Sequence, residues 1–167
     1  EQEPDELKDF FEKKEFDGIN VTIPYKKDVI AYCDRLSETP QKLGSVNTIV
    51  KQKDGSLIGH NTDYFGFLSM VQRSGLDVAN KKVLVLGSGG ASVTVLAVLR
   101  ELGANTVLIS RTGLNNYGNL HLHKDAAVIV NTTPVGMYPN NGFSAIELDG
   151  FPKLEGVLDL IYNPSKT

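Results

Sequence analysis

The stretch Val83-Leu84-Val85-Leu86-Gly87-Ser88-Gly89-Gly90-Ala91-Ser92 decides the fold. Four consecutive apolar residues without polar alternation predict a parallel strand buried on both faces. The glycine-rich run predicts a tight turn, and residues 93–102 a helix stopped by Gly103. Strand, glycine turn and helix in that order form a dinucleotide cradle. The first glycine allows the turn, the second lets backbone amides approach a pyrophosphate, and the helix N-terminus adds partial positive charge. Ser92 stands where a third Gly or Ala is usual, so the fingerprint is imperfect. A second buried strand, Val107-Leu108-Ile109, runs into Ser110-Arg111-Thr112. An NAD site places an acid at this strand end to hold the ribose 2′-hydroxyl, whereas an arginine accommodates a 2′-phosphate. There is no acid here, and Arg111 favours NADP.

Outward from that stretch, residues 127–130 and 157–161 read as a third and a fourth buried strand. Alternating strand and helix predicts an α/β doubly wound sheet over residues 80–167. The first half reads differently. Pro4 with Leu7, Phe10 and Phe11 suggests a short amphipathic helix ended by Gly18. Asn20-Val21-Thr22-Ile23 is a brief extended stretch, and Pro24 can start a helix carrying Val29 and Ile30. Residues 45–50 and 56–60 flank Asp54-Gly55, a hairpin turn signal. Thr62 or Asp63 then caps a helix carrying Phe65, Leu68, Met70 and Val71. The expected organisation is two α/β domains, 1–79 and 80–167, with the junction near 73–82.

The chain has 167 residues, 41% apolar and 22% charged, which is ordinary for a globular protein and excludes disorder or a collagen-like repeat. No apolar run approaches the ~20 residues of a membrane span. One cysteine, Cys33, cannot staple a fold, so a reducing, cytoplasmic setting is expected. Three scattered histidines (His60, His121, His123) beside that cysteine argue against a metal site. Net charge is −3, with no basic footprint for nucleic acid. Residues 1–79 hold 10 Lys/Arg against 14 Asp/Glu and residues 80–167 hold 7 against 6, so the second half is the mildly positive one, as suits a phosphate ligand. Both ends read as cut, since the chain opens at Glu1 without Met and stops at Thr167, just after Asn163-Pro164.

Lys26 and Lys27 follow Pro24 in the expected first turn of a helix, where the dipole disfavours cations by ~0.3–1 kcal/mol each. Two solvated lysines and a functional pair both fit that observation. Asn20, Thr22 and Lys26 offer an amide, a hydroxyl and an ammonium near one strand end, a set suited to a polyhydroxylated ligand. Asp63 reads most simply as a helix cap, Asn47 as a turn residue, and Tyr162 as packing or a ligand hydroxyl.

Seven segments together resemble the shikimate dehydrogenase family. They are Gly18-Ile-Asn-Val-Thr-Ile-Pro-Tyr-Lys26, Gly44-Ser-Val-Asn-Thr48, Gly59-His-Asn-Thr-Asp-Tyr-Phe-Gly66, Gly87-Ser-Gly-Gly-Ala-Ser92, Ser110-Arg-Thr112, Asn131-Thr-Thr-Pro-Val-Gly-Met137 and Asp159-Leu-Ile-Tyr-Asn-Pro164. The resemblance implies that Lys26 is the catalytic lysine and Asp63 its partner carboxylate. It implies that Asn20, Thr22, Asn47 and Tyr162 line a shikimate pocket. Gly87, Gly89, Gly90, Ala91 and Ser92 would hold the cofactor diphosphate, and Ser110, Arg111 and Thr112 the adenosine 2′-phosphate. Thr132, Thr133 and Met137 would run along NADP toward its nicotinamide. The family's carboxylate-binding serine pair and its substrate-binding C-terminal glutamine have no counterpart in residues 1–167.

The implied reaction is reversible hydride transfer between NADPH and the ketone of 3-dehydroshikimate in a cleft between two domains, with Lys26 as proton donor. The sequence leaves three rivals: a quinate/shikimate dehydrogenase using NAD or NADP, a ligand sensor of the same family without turnover, and a generic Rossmann fragment without activity of its own. Shikimate or 3-dehydroshikimate is the expected small-molecule partner, with neither nucleic acid nor membrane.

Overall fold

The computed structural model describes residues 3, 6–22 and 24–165. Pro4, expected in the first helical turn, and Ile23, expected at the end of an extended stretch, lie outside the described residues. By packing, the chain divides into two compact units, Glu1–Tyr64 and Phe65–Thr167.

The first unit holds a four-stranded mixed sheet. Helix α1 (Leu7–Lys13) ends on Lys14 in the left-handed conformation, four residues before Gly18, the expected stop. Strands β1 (Gly18–Asn20), β2 (Arg35–Leu36), β3 (Thr48–Lys51) and β4 (Leu57–His60) lie in the order β1-β3-β4-β2. The β3–β4 hairpin turns at Asp54-Gly55 as expected, pairing Thr48 with His60 and Lys51 with Leu57. Leu7, Phe11, Val21, Val29, Val46, Ile49 and Leu57 form the core beneath it. The Asp34 carboxylate accepts from the Leu57 amide at 2.7 Å, and that bond holds its carboxyl below the usual carboxylate range. Helix α2 (Glu38–Leu43) connects β2 to the segment leading into β3.

Gly59 of β4 is a glycine for want of space. A Cβ there would stand 2.8 Å from Leu36 Cδ2, 2.9 Å from Val46 Cγ2 and 3.0 Å from Cys33 Sγ. Gly59→Ala is expected to cost about 1–3 kcal/mol through overpacking. Thermal unfolding checks it, and an unchanged midpoint would mean Leu36 and Val46 can move aside.

The second unit holds the sheet expected from the opening motif. Strands β5 (Lys82–Leu86), β6 (Asn105–Ile109), β7 (Val128–Asn131) and β8 (Gly156–Asp159) are all parallel, in the order β6-β5-β7-β8. The chain steps from β5 to one side for β6, then back past β5 for β7. The sheet is therefore doubly wound, with its switch point at the carboxyl ends of β5 and β7, where such sheets bind ligands. Val83, Leu84, Val85 and Leu86 are all buried. Helix α4 (Gly90–Glu101) begins three residues before the expected Val93. Helix α3 (Asp63–Ser74) precedes β5, and only a 3-10 helix, Tyr117–His123, bridges β6 to β7.

Candidate active site

In the first unit, Lys26 sits in a turn at 24–27, ahead of a 3-10 helix at Asp28–Tyr32. The expected α-helix starting at Pro24 does not form, so no α-helix dipole acts against Lys26. Its backbone is pinned instead: Tyr25 N–H donates to the Thr22 carbonyl at 3.0 Å and Val46 N–H to the Lys26 carbonyl at 2.8 Å. The Lys26 ammonium donates to Asp63 Oδ2 at 2.7 Å. The lysine side chain is 18% exposed and the aspartate 43%, so the pair opens to solvent on the carboxylate side.

Asp63 is the first residue of α3, and its carboxylate turns to Lys26 rather than to the helix amides. That corrects the expectation of a simple cap. Asn61 does the local work, accepting from Tyr64 N–H at 3.3 Å and donating to the Ser45 carbonyl at 3.0 Å. Asn47 Oδ1 accepts from the Thr62 amide at 2.9 Å, and its Nδ2 donates to Thr62 Oγ1 at 2.9 Å. Val21 N–H donates to the Asn47 carbonyl at 2.7 Å, which brings residues 20–22 alongside. Asn20 and Thr22 are exposed there. Three separate segments thus converge on one ammonium–carboxylate pair that can hold or release a proton beside amide and hydroxyl groups.

In the second unit, Gly87 has φ +95°, and a Cβ on it would lie 2.8 Å from Thr133 Cγ2. Thr132 Oγ1 donates to the Leu86 carbonyl at 2.6 Å, tying the β7 end to the glycine turn. Beyond that turn, a Cβ on Gly89 or Gly90 would meet nothing within 4 Å. The α4 N-terminus takes no side-chain cap, as an anion site requires, and Ser92 N–H turns back on the Gly89 carbonyl at 3.1 Å. Ser92, the imperfect third position, is buried and bonds the Gly89 carbonyl through Oγ at 2.6 Å, which is how a serine fits there. Ala91 is half-buried beside it in the first turn of α4.

At the β6 end, Ser110 is half-buried while Arg111 and Thr112 are exposed. Arg111 makes no ion pair among the described residues. Its charge acts on Tyr117, whose hydroxyl is pushed up by burial and partly drawn back by that guanidinium. Met137 is 43% exposed. Tyr162 does not end a strand: β8 stops at Asp159, and Tyr162 is 91% exposed. No cluster of metal-ligating residues occurs among the described residues, and no described helix is long and apolar enough to cross a membrane.

Sequence reasoning gave Asn131 and Asp159 no role beyond their places in two motifs. Asn131 is buried, accepts from Thr133 Oγ1 at 2.7 Å and donates to Asp159 Oδ1 at 3.1 Å. Both border a cavity of about 500 Å³ with Leu86, Val135, Phe143 and Ile146. The available signal was a polar residue closing an apolar run, which a buried strand tolerates only when its amide is satisfied.

The family profile described as the shikimate dehydrogenase substrate binding domain matches residues 1–49. Shikimate dehydrogenase (NADP(+)) of Clostridium perfringens (strain SM101 / Type A) is 38% identical over 164 residues, covering 90% of this chain and 60% of its own length. The crystal structure of shikimate dehydrogenase 1 from Peptoclostridium difficile superposes with TM-score 0.88 at 34% identity, over 100% of this chain and 67% of that one. The chain belongs to the shikimate dehydrogenase family. A second structural neighbour in the family, shikimate 5-dehydrogenase from Thermus thermophilus in complex with NADP(H) and shikimate, has TM-score 0.82 and 32% identity, over 98% of this chain and 66% of that one. As a shikimate dehydrogenase family member, this chain has the family's α/β fold, with the parallel sheet in its second unit. It spans 60% of the length of the Clostridium perfringens relative.

Proposed function

We propose that this protein is an NADP-dependent shikimate dehydrogenase, reducing 3-dehydroshikimate reversibly to shikimate in the pathway to chorismate and the aromatic amino acids. The 2.7 Å Lys26–Asp63 pair carries this reading, because a sensor that only binds has no need of a poised proton donor. Residues 1–79 serve as the substrate domain and 80–167 as the NADP domain. A cytoplasmic setting accords with the single free cysteine.

The second unit suits a dinucleotide: open space before Gly89 and Gly90, uncapped amides at α4, and an arginine without an ion-pair partner among the described residues. Gly87, Gly89, Gly90, Ala91 and Ser92 would hold the diphosphate. Ser110, Arg111 and Thr112 would hold the 2′-phosphate, and Thr132, Thr133 and Met137 the nicotinamide side. Bound there, NADPH supplies the hydride. Lys26 gives its ammonium proton to the oxygen that gains negative charge, and takes it back in the oxidative direction. Asp63 orients that ammonium and accepts a substrate hydroxyl, while Asn20, Thr22, Asn47 and Tyr162 place the remaining polar groups.

Initial rates with shikimate and quinate, each with NADP and NAD, test the reading on the full-length protein. Turnover of shikimate with NADP is the expected result. Ligand binding without turnover would make the protein a sensor. Arg111→Asp should weaken NADPH by about tenfold or more, ~1.4 kcal/mol, and NADH far less. Equal losses would remove the 2′-phosphate clamp.

A further inference from the structure

The segment after β6 is short and polar, yet it is held at Ser110 and again from Gly113 to Asn116. Ser110 N–H donates to the Asn115 carbonyl at 3.1 Å and closes the loop at its base. Asn116 Nδ2 donates to the Gly113 carbonyl at 3.2 Å, and Asn119 Nδ2 to the Leu114 carbonyl at 2.9 Å. Three consecutive loop carbonyls are thus each bound. Asn116 and Asn119 also cap the following 3-10 helix reciprocally: Asn116 Oδ1 accepts from Gly118 N–H at 2.9 Å, and Asn119 Oδ1 from Asn116 N–H at 2.8 Å. Behind them, His123 Nε2 stands 3.2 Å from Asn115 Oδ1. Its Nδ1 is buried with no partner among the described residues, so the ring is spent on that one bond.

A loop that needed only to connect β6 to β7 would not require three asparagine side chains. The reciprocal cap serves the 3-10 helix, whose Tyr117 and Leu120 pack on the core, but the tethers to the Gly113 and Leu114 carbonyls serve a loop whose tip, Leu114, is 91% exposed. What the clasp does fix is Ser110, directly after the buried Ile109, on one side of Arg111 and Thr112, and Gly113, Leu114 and Asn115 on the other. Ordering a flexible arginine loop at the moment of binding would draw on binding energy, whereas a loop held in advance does not.

We propose that Asn115, Asn116 and Asn119, backed by His123, are positioning residues for nucleotide choice. They hold the 111–114 loop in one shape, so that Arg111 discriminates a 2′-phosphate from a 2′-hydroxyl. The inference rests on the NADP reading of this site and deepens it: selectivity lies in the clasp as much as in the arginine.

The test is calorimetric titration of NADP and NAD into the full-length protein as wild type, Asn119→Ala, Arg111→Ala and the double variant. Asn119→Ala should raise the NADP Kd about tenfold, ~1.4 kcal/mol, and leave the NAD Kd within about twofold. In the Arg111→Ala background, Asn119→Ala should have no further effect on NADP, because its effect passes through the arginine. Asn119→Ser keeps a neutral side-chain oxygen and loses the Leu114 tether, with no change of charge. It should fall between wild type and Asn119→Ala, and it serves if the alanine variant does not fold. Equal losses for both nucleotides, or additive losses in the double variant, overturn the clasp while the NADP reading stands. A wild type that binds neither nucleotide, or both alike, overturns the NADP reading and the clasp with it.

Discussion

Lys26→Ala should lower kcat for shikimate oxidation by about 10²–10⁴, the range ascribed to a positioned general acid–base group. NADP affinity should stay within about twofold of wild type, since the glycine turn, Ser110–Thr112 and Thr132–Thr133 all lie in the second unit. The companion variant is more telling. Lys26→Arg keeps the positive charge and can still pair with Asp63, but a guanidinium does not release its proton in a protein. If the arginine variant is as inactive as the alanine one, the lysine moves a proton; if it recovers most of the rate, the lysine acts only through its charge. Strongly weakened NADP binding in either variant would sink the assignment of Lys26 to substrate chemistry. Steady-state kinetics with parallel nucleotide titrations separates these outcomes.

Gly87→Ala should impair both stability and nucleotide binding. The backbone there has φ +95°, a region where a β-carbon costs about 1–3 kcal/mol. That carbon would also press on Thr133 Cγ2 at 2.8 Å, Thr132 Oγ1 at 3.2 Å and the Thr132 backbone carbon at 3.4 Å. The turn must shift, and the uncapped α4 amides shift with it. We expect a clear drop in unfolding midpoint and about a tenfold or larger loss of NADP affinity. Thr133→Ser in the same chain removes the methyl contact and leaves the backbone strain. Partial recovery of the midpoint would therefore apportion the damage between crowding and conformation. Wild-type behaviour in the single variant would show that the turn is looser than its geometry implies.

The second unit was legible because its signals are strong and local. Val83–Leu86 has no solvent face to alternate with, Gly103 closes a helix, and a glycine run between them leaves few alternatives. Residues 1–64 were harder to read. Pro24 announces a helix only through its preference for a first helical turn, but Val46 N–H bonds the Lys26 carbonyl and the chain makes a turn and a 3-10 helix instead. Helix α1 stops at Lys14, where nothing in the residue type marks a left-handed terminus. At the site, motif resemblance named Lys26 and Asp63, and periodicity could not have joined residues 37 apart. Thr62 was visible only as a cap candidate and Asn61 only as part of a motif, because the partners that explain them, Asn47 and Ser45, come from a distant segment. Asn131 stayed hidden for a related reason: its burial shows only once β7 lies between β5 and β8.

The two-ended attachment of Lys26, by carbonyl to Val46 and by ammonium to Asp63, bears on where its freedom is lost. A free lysine side chain carries ~2 kcal/mol of rotamer entropy. Here much of that disorder is surrendered when the chain folds, before any ligand arrives. On the proposed role of Lys26, a substrate would meet an ammonium already aimed, and chain collapse rather than the encounter would do the work of ordering it. A shorter or looser turn at 24–27 would transfer the same loss to the binding step, where it would appear as a higher KM without any contact having been removed.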